Sequence, residues 1–318
     1  MTKSSQKKLI EKESKFCAEN YKPLPVVLCK GKGVWVWDTD GNKYLDMMSA
    51  YSAVSHGHSH PELIKVLHRQ SEVLGITSRA FYTDTLGAFL EKLVNISGLD
   101  IALPMNTGAE AVETAIKAAR RWAYKTKKVE ANKAEIIVAK GNFHGRTTTI
   151  ISFSTDEQSK EDFGPYTPGF VSIKYGCIES LKEAITKNTA AFLVEPIQGE
   201  AGIIIPEKEW LPEVRKVCTE NNVLLILDEI QSGLGRTGKM FAFEHSSIMP
   251  DGLILGKALG GGLLPVSCFL STKEIMQWFV PGSHGSTFGG FPLAAVIGKR
   301  AIELIEEEKI NRDQIFVS

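Results

Sequence analysis

Apolar residues along this chain follow two alternating rhythms. From about position 61 onward, apolar positions three and four apart mark 61–74, 84–96, 109–125, 178–186, 210–221 and 292–308, the spacing of helices that bury one face. Between them lie short, mostly apolar runs at 135–139, 148–153, 170–174, 191–195, 223–228, 252–255 and 267–270. Such runs, rich in β-branched residues and lacking polar alternation, suit strands buried on both faces. Their interleaving with helices predicts an α/β fold, a mostly parallel central sheet sandwiched by helices. Ahead of this region, Val34-Trp-Val-Trp-Asp-Thr-Asp-Gly-Asn-Lys-Tyr-Leu45 alternates around an Asp-Gly turn and predicts a β-hairpin.

In sheets of this kind, ligands sit beyond the carboxyl ends of the strands. Two such ends stand out. The run Leu224-Leu-Ile-Leu ends on Asp228, and Gly252-Leu-Ile-Leu-Gly ends on Lys257, which glycines soon follow. A lysine amine that condenses with an aldehyde and a carboxylate that keeps a pyridine nitrogen protonated are what a pyridoxal 5′-phosphate enzyme needs. Glu229 adjoins Asp228, but neighbouring side chains diverge in an extended chain, so only one can face the cleft, and Asp228 is the choice.

Other strand exits fit that frame, although each has a plainer reading. Thr107 and Glu110 form a capping box at a helix start; with Gly108 and Ala109 this is either a well-capped helix or a phosphate site at its N-terminus. In Asn142-Phe-His-Gly-Arg146, Phe143 can stack on a flat ring and Arg146 can grip a carboxylate, or they are a core phenylalanine and a surface arginine. Glu195 and Glu200 bracket Pro-Ile-Gln-Gly, in a polar cleft or a solvated loop. The glycine-rich stretch Gly282-Ser-His-Gly-Ser-Thr-Phe-Gly-Gly290 can present Ser286 and Thr287 to a phosphate, a weak signal by itself. His56-Gly-His58-Ser-His60 lacks a supporting third site, so a polar turn before a helix is preferred to a metal centre. No phosphate-binding G-x-x-x-x-G-K-[ST] loop is present.

Composition narrows the setting. The 318 residues are 43% hydrophobic and 23% charged, ordinary for a globular protein. The 37 basic residues balance 37 acidic ones, which argues against nucleic acid or an anionic membrane as partner. Five scattered cysteines without a C-x-x-C pair point to reduced thiols. With neither a signal-like start nor an apolar run of about 20 residues, a cytoplasmic protein is expected.

The segments Leu225-Ile-Leu-Asp-Glu-Ile-Gln-Ser-Gly-Leu-Gly-Arg-Thr-Gly238 and Gly256-Lys-Ala-Leu-Gly-Gly-Gly262 resemble the signature of the class III pyridoxal-phosphate-dependent aminotransferases. Within that class, Asn20-Tyr-Lys-Pro-Leu-Pro-Val26, Ser49-Ala-Tyr-Ser-Ala-Val54, Gly57-His-Ser-His-Pro61, Thr77-Ser-Arg-Ala-Phe-Tyr82 and His284-Gly-Ser-Thr-Phe-Gly-Gly290 are similar to the ornithine aminotransferase family. The likeness runs from about residue 16 onward.

The resemblance implies a fold type I large domain over 51–290. It also implies an N-terminal hairpin segment over 1–50 belonging to a small domain, and a linking helix over 291–318 that begins an incomplete second one. Lys257 would be the Schiff-base lysine and proton shuttle, Asp228 the pyridinium partner, and Glu195 a further catalytic carboxylate. Phe143 and Ile230 would sandwich the ring, with Gln231 at its phenolic oxygen and His144 in the same cofactor set. Thr107, Gly108, Ala109 and Ser286 would hold the phosphate with Thr287 of the partner subunit, which implies a homodimer or larger homo-oligomer. Tyr21 and Arg146 would anchor the α-end of ornithine, beside Tyr51 and Glu200.

The implied reaction passes ornithine's δ-amine to 2-oxoglutarate, leaving glutamate-5-semialdehyde, which cyclises to pyrroline-5-carboxylate, and glutamate. The sequence stops at Ser318, where family members continue into a segment whose arginine pairs with the glutamate matched by Glu200; a truncated chain is the corresponding expectation. Phe291 stands where the family usually has asparagine. The competing readings are an acetylornithine or 4-aminobutyrate ω-aminotransferase, or a shortened non-catalytic chain.

Overall fold

The structure, a computed structural model, describes residues 3–307; residues 308–318 of the expected linking segment lie outside the described residues. After a helix at Lys3–Phe16 comes a small antiparallel sheet of β1 (Leu28–Lys32), β2 (Trp35–Asp38) and β3 (Lys43–Leu45). β2 and β3 are the expected hairpin. Its turn is closed by the Asp38 carboxylate, which accepts from the N–H groups of Asp40 and Asn42 and from the Tyr44 hydroxyl.

The main sheet holds β4 (Ile101–Met105), β5 (Glu135–Ala139), β6 (Phe170–Ile173), β7 (Thr189–Val194), β8 (Leu224–Asp228), β9 (Gly252–Leu255) and β10 (Ser267–Ser271), in the order β4-β10-β9-β8-β7-β5-β6. Strands β5 to β9 pair in parallel, and β10 runs antiparallel to both neighbours. The sheet is thus mostly parallel and covered by helices, as the interleaved pattern predicts.

One expected strand is a helix instead. Residues Thr148–Ile151 form a short helix whose N-cap, Thr147, accepts from the Ile150 N–H. The cap overrides the β-branched composition, because the turn still buries Ile150 and Ile151. β4 was not anticipated, since Pro104 reads as a strand breaker; it is tolerated because β4 lies at the sheet edge.

The central strands separate their side chains onto two buried faces. Leu225 and Leu227 pack into one core with Phe192, Trp210 and the helices Leu86–Ser97, Trp210–Glu220 and Pro292–Glu307. Leu224 and Ile226 pack into the other with Leu193, Ile254 and the helix Gly108–Trp122. That is why the strands read as continuous apolar runs. Fully burying one such side chain contributes about 1.5–3 kcal/mol. Alternation then fixes the site: Asp228 shares the parity of Leu224 and Ile226, and Glu195 that of Ala191 and Leu193. Both carboxylates therefore belong to the face covered by the helix Gly108–Trp122.

Candidate active site

Lys257 opens a short turn just beyond β9 with φ of 43°, a left-handed backbone that non-glycine residues seldom adopt. The preceding Gly256 is extended, and a Cβ there would press on Ile230 at 3.3 Å, so a glycine lets the lysine's strand exit meet that side chain. Burial depresses the Lys257 pKa, against the opposing pull of Glu200, Asp228 and Glu195. Its Nζ lies 4.0 Å from Glu200 Oε1.

Asp228 is 4% exposed. One carboxylate oxygen accepts from the Ile230 N–H at 3.0 Å, and the other lies 2.6 Å from His144 Nδ1. Burial disfavours charge on His144, but the hydrogen bond to Asp228 and the nearby negative charges of Asp228 and Glu195 outweigh it and raise its pKa. Burial also raises Glu195 to about 7, and its carboxylate accepts from the Phe143 N–H at 3.1 Å. Glu229 faces the other way, accepting from the N–H groups of Ala242 and Phe243 at 2.7 and 2.8 Å, so the two adjacent carboxylates diverge as anticipated.

The helix Gly108–Trp122 starts with a complete capping box. Thr107 accepts from the Glu110 N–H at 3.2 Å, and the Glu110 carboxylate accepts from the Thr107 and Asn106 N–H groups. Burial works against the Glu110 charge, yet these donors hold its pKa below the usual range. The N–H groups of Gly108 and Ala109 sit in the first turn, where the helix offers no carbonyl to accept them. A Cβ at Gly108 would lie 2.8 Å from Ile230 Cδ1, so only glycine lets the helix start approach Ile230 this closely.

A cavity of about 200 Å³ gathers Gly108, Ala109, Phe143, His144, Glu195, Glu200, Asp228, Ile230, Gln231 and Lys257. This donor set fits a phosphorylated pyridine aldehyde: an amine, a carboxylate, apolar and aromatic walls, and a helix N-terminus for the phosphate. A second polar feature points the same way, as His144 Nε2 is buried without a hydrogen-bond partner.

The cavity adjoins a wider one of about 730 Å³ that shares Ile197, Glu200, Gln231 and Ser232 and also takes in Tyr51, Arg236 and Lys208. Gln231 Nε2 donates to Glu200 Oε1 at 3.0 Å and to the Tyr51 carbonyl at 3.3 Å. Gly199 makes room for it, since a Cβ there would fall 1.4 Å from Gln231 Oε1. Tyr51 belongs to a left-handed turn, Ser49–Ser52, with φ values of 48°, 45°, 57° and 75°. Such backbone costs roughly 1–2 kcal/mol per residue. Asp46 steadies its start by accepting from the Met48 and Ser49 N–H groups and pairing with His58 Nε2 at 2.7 Å.

Not every expected residue converges here. Tyr21, Arg146 and Thr287 are exposed and line neither cavity. Arg146 rests 5.7 Å from the Phe143 ring. Thr107 acts at the helix cap, and Ser286 reaches Asn106 and Glu110 rather than the cavity wall. Sequence reasoning missed the His144–Asp228 pairing, which joins positions 84 apart. It also missed Arg236, which lines the wider cavity and donates to Ser55; its place in the glycine-rich run after Gln231 was the available signal.

The profile of the family described as Aminotransferase class-III matches residues 16–314. The chain belongs to the class-III aminotransferases. Enzymes of this family transfer amino groups between small molecules, an amino donor and a keto acid, and use pyridoxal 5′-phosphate. The chain is 59% identical to an ornithine aminotransferase of Brevibacillus brevis over 300 residues, 94% of this chain and 75% of that one. It is 55% identical to the ornithine aminotransferase of Bacillus subtilis over 307 residues, 96% of this chain and 77% of that one. Among solved structures, an ornithine aminotransferase of Toxoplasma gondii, described with partial occupancy of pyridoxal phosphate at its active site, superposes with a TM-score of 0.95 at 44% identity, covering 96% of this chain and 72% of that one. Within the described residues of this class-III chain, no helix is long and apolar enough to cross a membrane.

Proposed function

We propose that the chain transfers the δ-amino group of L-ornithine to 2-oxoglutarate, yielding glutamate-5-semialdehyde, which cyclises to pyrroline-5-carboxylate, and glutamate. The observation that carries the chemistry is one small cavity lined by Lys257, Asp228 and Glu195 at the start of a capped helix. The 55–59% identity to ornithine aminotransferases supports the choice of substrate.

When bound, pyridoxal 5′-phosphate supplies an amine-reactive aldehyde and an electron-accepting ring. Gly108 and Ala109 N–H groups would hold its phosphate, with Thr107 capping the same helix and Ser286 bracing it. Phe143 and Ile230 would flank the ring, Asp228 would hold the proton on its nitrogen, and Gln231 would face its phenolic oxygen. His144 fixes Asp228. Lys257 Nζ takes a proton from the substrate's δ-carbon; desolvation suits it to this, because burial favours the uncharged amine. Glu195 and Glu200 line the substrate side. Tyr51 lines the wider cavity and would favour ornithine over its N-acetylated analogue, with Tyr21 and Arg146 reaching the α-amino and α-carboxylate groups.

A homodimer is part of this reading. Exposed Phe81, Tyr82 and Phe288 and the exposed Thr287 support a face that a second copy covers, which brings Thr287 of the partner subunit to the phosphate. The five free cysteines suit a cytoplasmic setting. The test is product formation from purified protein supplied with 2-oxoglutarate and, in separate reactions, ornithine, N-acetylornithine or 4-aminobutyrate. Pyrroline-5-carboxylate from ornithine, with the other donors far slower, is expected; faster turnover of either alternative would overturn the substrate choice.

A further inference from the structure

The loop 282–290 is fastened to the helix Gly108–Trp122 by hydrogen bonds that specify the state of one imidazole. The Thr114 hydroxyl donates its single proton to the Glu110 carbonyl at 2.7 Å. It therefore accepts from His284 Nε2, 2.8 Å away, so that nitrogen carries a hydrogen. Lys117 Nζ has only donors to offer and lies 2.8 Å from His284 Nδ1, so that nitrogen presents its lone pair. The ring is neutral and in one tautomer. A second proton would place an N–H⁺ against an ammonium.

The surroundings favour the neutral ring. Burial and the Lys117 charge hold the His284 pKa below its ordinary value of 6.5, and Glu110 opposes them. Lys117 and Glu110 are the charged groups that face it from the helix, and from its own side comes the Phe279 ring, 5.4 Å from the imidazole. Two residues on, Ser286 Oγ accepts from Asn106 Nδ2 at 2.8 Å and donates to Glu110 Oε1 at 3.3 Å. Asn106 and Glu110 also build the cap of the helix end that would take the phosphate. Loop and phosphate cradle thus share their supporting residues.

We propose that His284 is a positioning residue whose neutral, Nε2-protonated form clips the loop 282–290 onto the phosphate-binding helix, so that protonating it loosens the hold on the cofactor's phosphate. The inference rests on the pyridoxal-phosphate reading of the cavity.

The experiment follows release of pyridoxal 5′-phosphate from loaded protein, on dilution, between about pH 7.5 and 5.5. A phosphate monoester itself takes up a proton near pH 6, so variants are compared rather than the wild type read alone. Glutamine can accept from Lys117 and donate to Thr114 but cannot titrate. His284→Gln is therefore expected to retain cofactor as wild type does at the upper pH, and to release it about five- to tenfold more slowly than wild type at the lower, the effect of one or two hydrogen bonds. Lys117→Met removes the facing ammonium and should move the rise in release to higher pH; a purely structural role would give a loss independent of pH. Identical pH profiles for wild type and His284→Gln, or an unmoved profile in Lys117→Met, would overturn the clip while leaving the cofactor site standing. Wild-type protein that takes up no pyridoxal phosphate would overturn both.

Discussion

His144 Nδ1 lies 2.6 Å from Asp228 Oδ2, with the two side chains 0% and 4% exposed. A hydrogen bond to a charged group away from water contributes about 1.5–3 kcal/mol, and Asp228 can hold a ring nitrogen's proton only if its orientation survives. Replacing His144 with glutamine should lower kcat by about ten- to a hundredfold with little change in KM for ornithine. Asp228→Asn should cost more, about a thousandfold, because the charge itself is lost. Steady-state kinetics on both variants check this, and equal, small losses would remove the pair from the mechanism.

Gly199 leaves space that the Gln231 amide fills. Gly199→Ala would place a methyl group 1.4 Å from Gln231 Oε1, so the amide must leave Glu200 and the Tyr51 carbonyl. Losing those two hydrogen bonds predicts about a tenfold rise in KM for ornithine. Unaltered kinetics would show that Gln231 does not shape the substrate side.

Tyr51 is the residue on which donor selectivity is expected to turn. Its φ of 57° makes Tyr51→Ile a poor probe, because a β-branched side chain resists that backbone. Tyr51→Phe keeps the ring and removes the hydroxyl, and should lower the preference for ornithine over N-acetylornithine by roughly tenfold, the effect of one lost polar contact. Competition between the two donors measures it, and an unchanged ratio would count against the assignment.

Glu195 gives the protein a pH-dependent stability. Burial raises its pKa from 4.5 to about 7. The folded protein holds a proton there that the unfolded chain has released across that window. The contribution is complete below pH 4.5 and is lost as pH climbs through about 7. At most about 3 kcal/mol is involved. In Glu195→Gln the unfolding free energy of the cofactor-free protein, from urea titrations, should fall less between pH 5 and 8 than in the wild type, roughly by that amount.

Much of this was written in local pattern. Strands β5, β7, β8 and β9 are legible because every position between two helical layers must be apolar, and the polar residues that break the runs, Asp228 and Lys257, therefore mark the cleft. Thr148–Ile151 misled because its β-branched residues say strand while the cap at Thr147 says helix, and the cap prevailed. What stayed hidden is pairing over distance. His144 with Asp228, Gln231 with Gly199, and His284 with Thr114 and Lys117 depend on how the chain returns to itself, which no periodicity encodes.

The most direct measurement is the visible absorption spectrum of the purified protein loaded with pyridoxal 5′-phosphate, before and after addition of ornithine. A visible band that ornithine bleaches, that 2-oxoglutarate restores, and that Lys257→Ala lacks is the expected result. Protein that stays colourless, or a band that persists unchanged in Lys257→Ala and ignores ornithine, would contradict the assignment of Lys257 and the aminotransferase chemistry built on it.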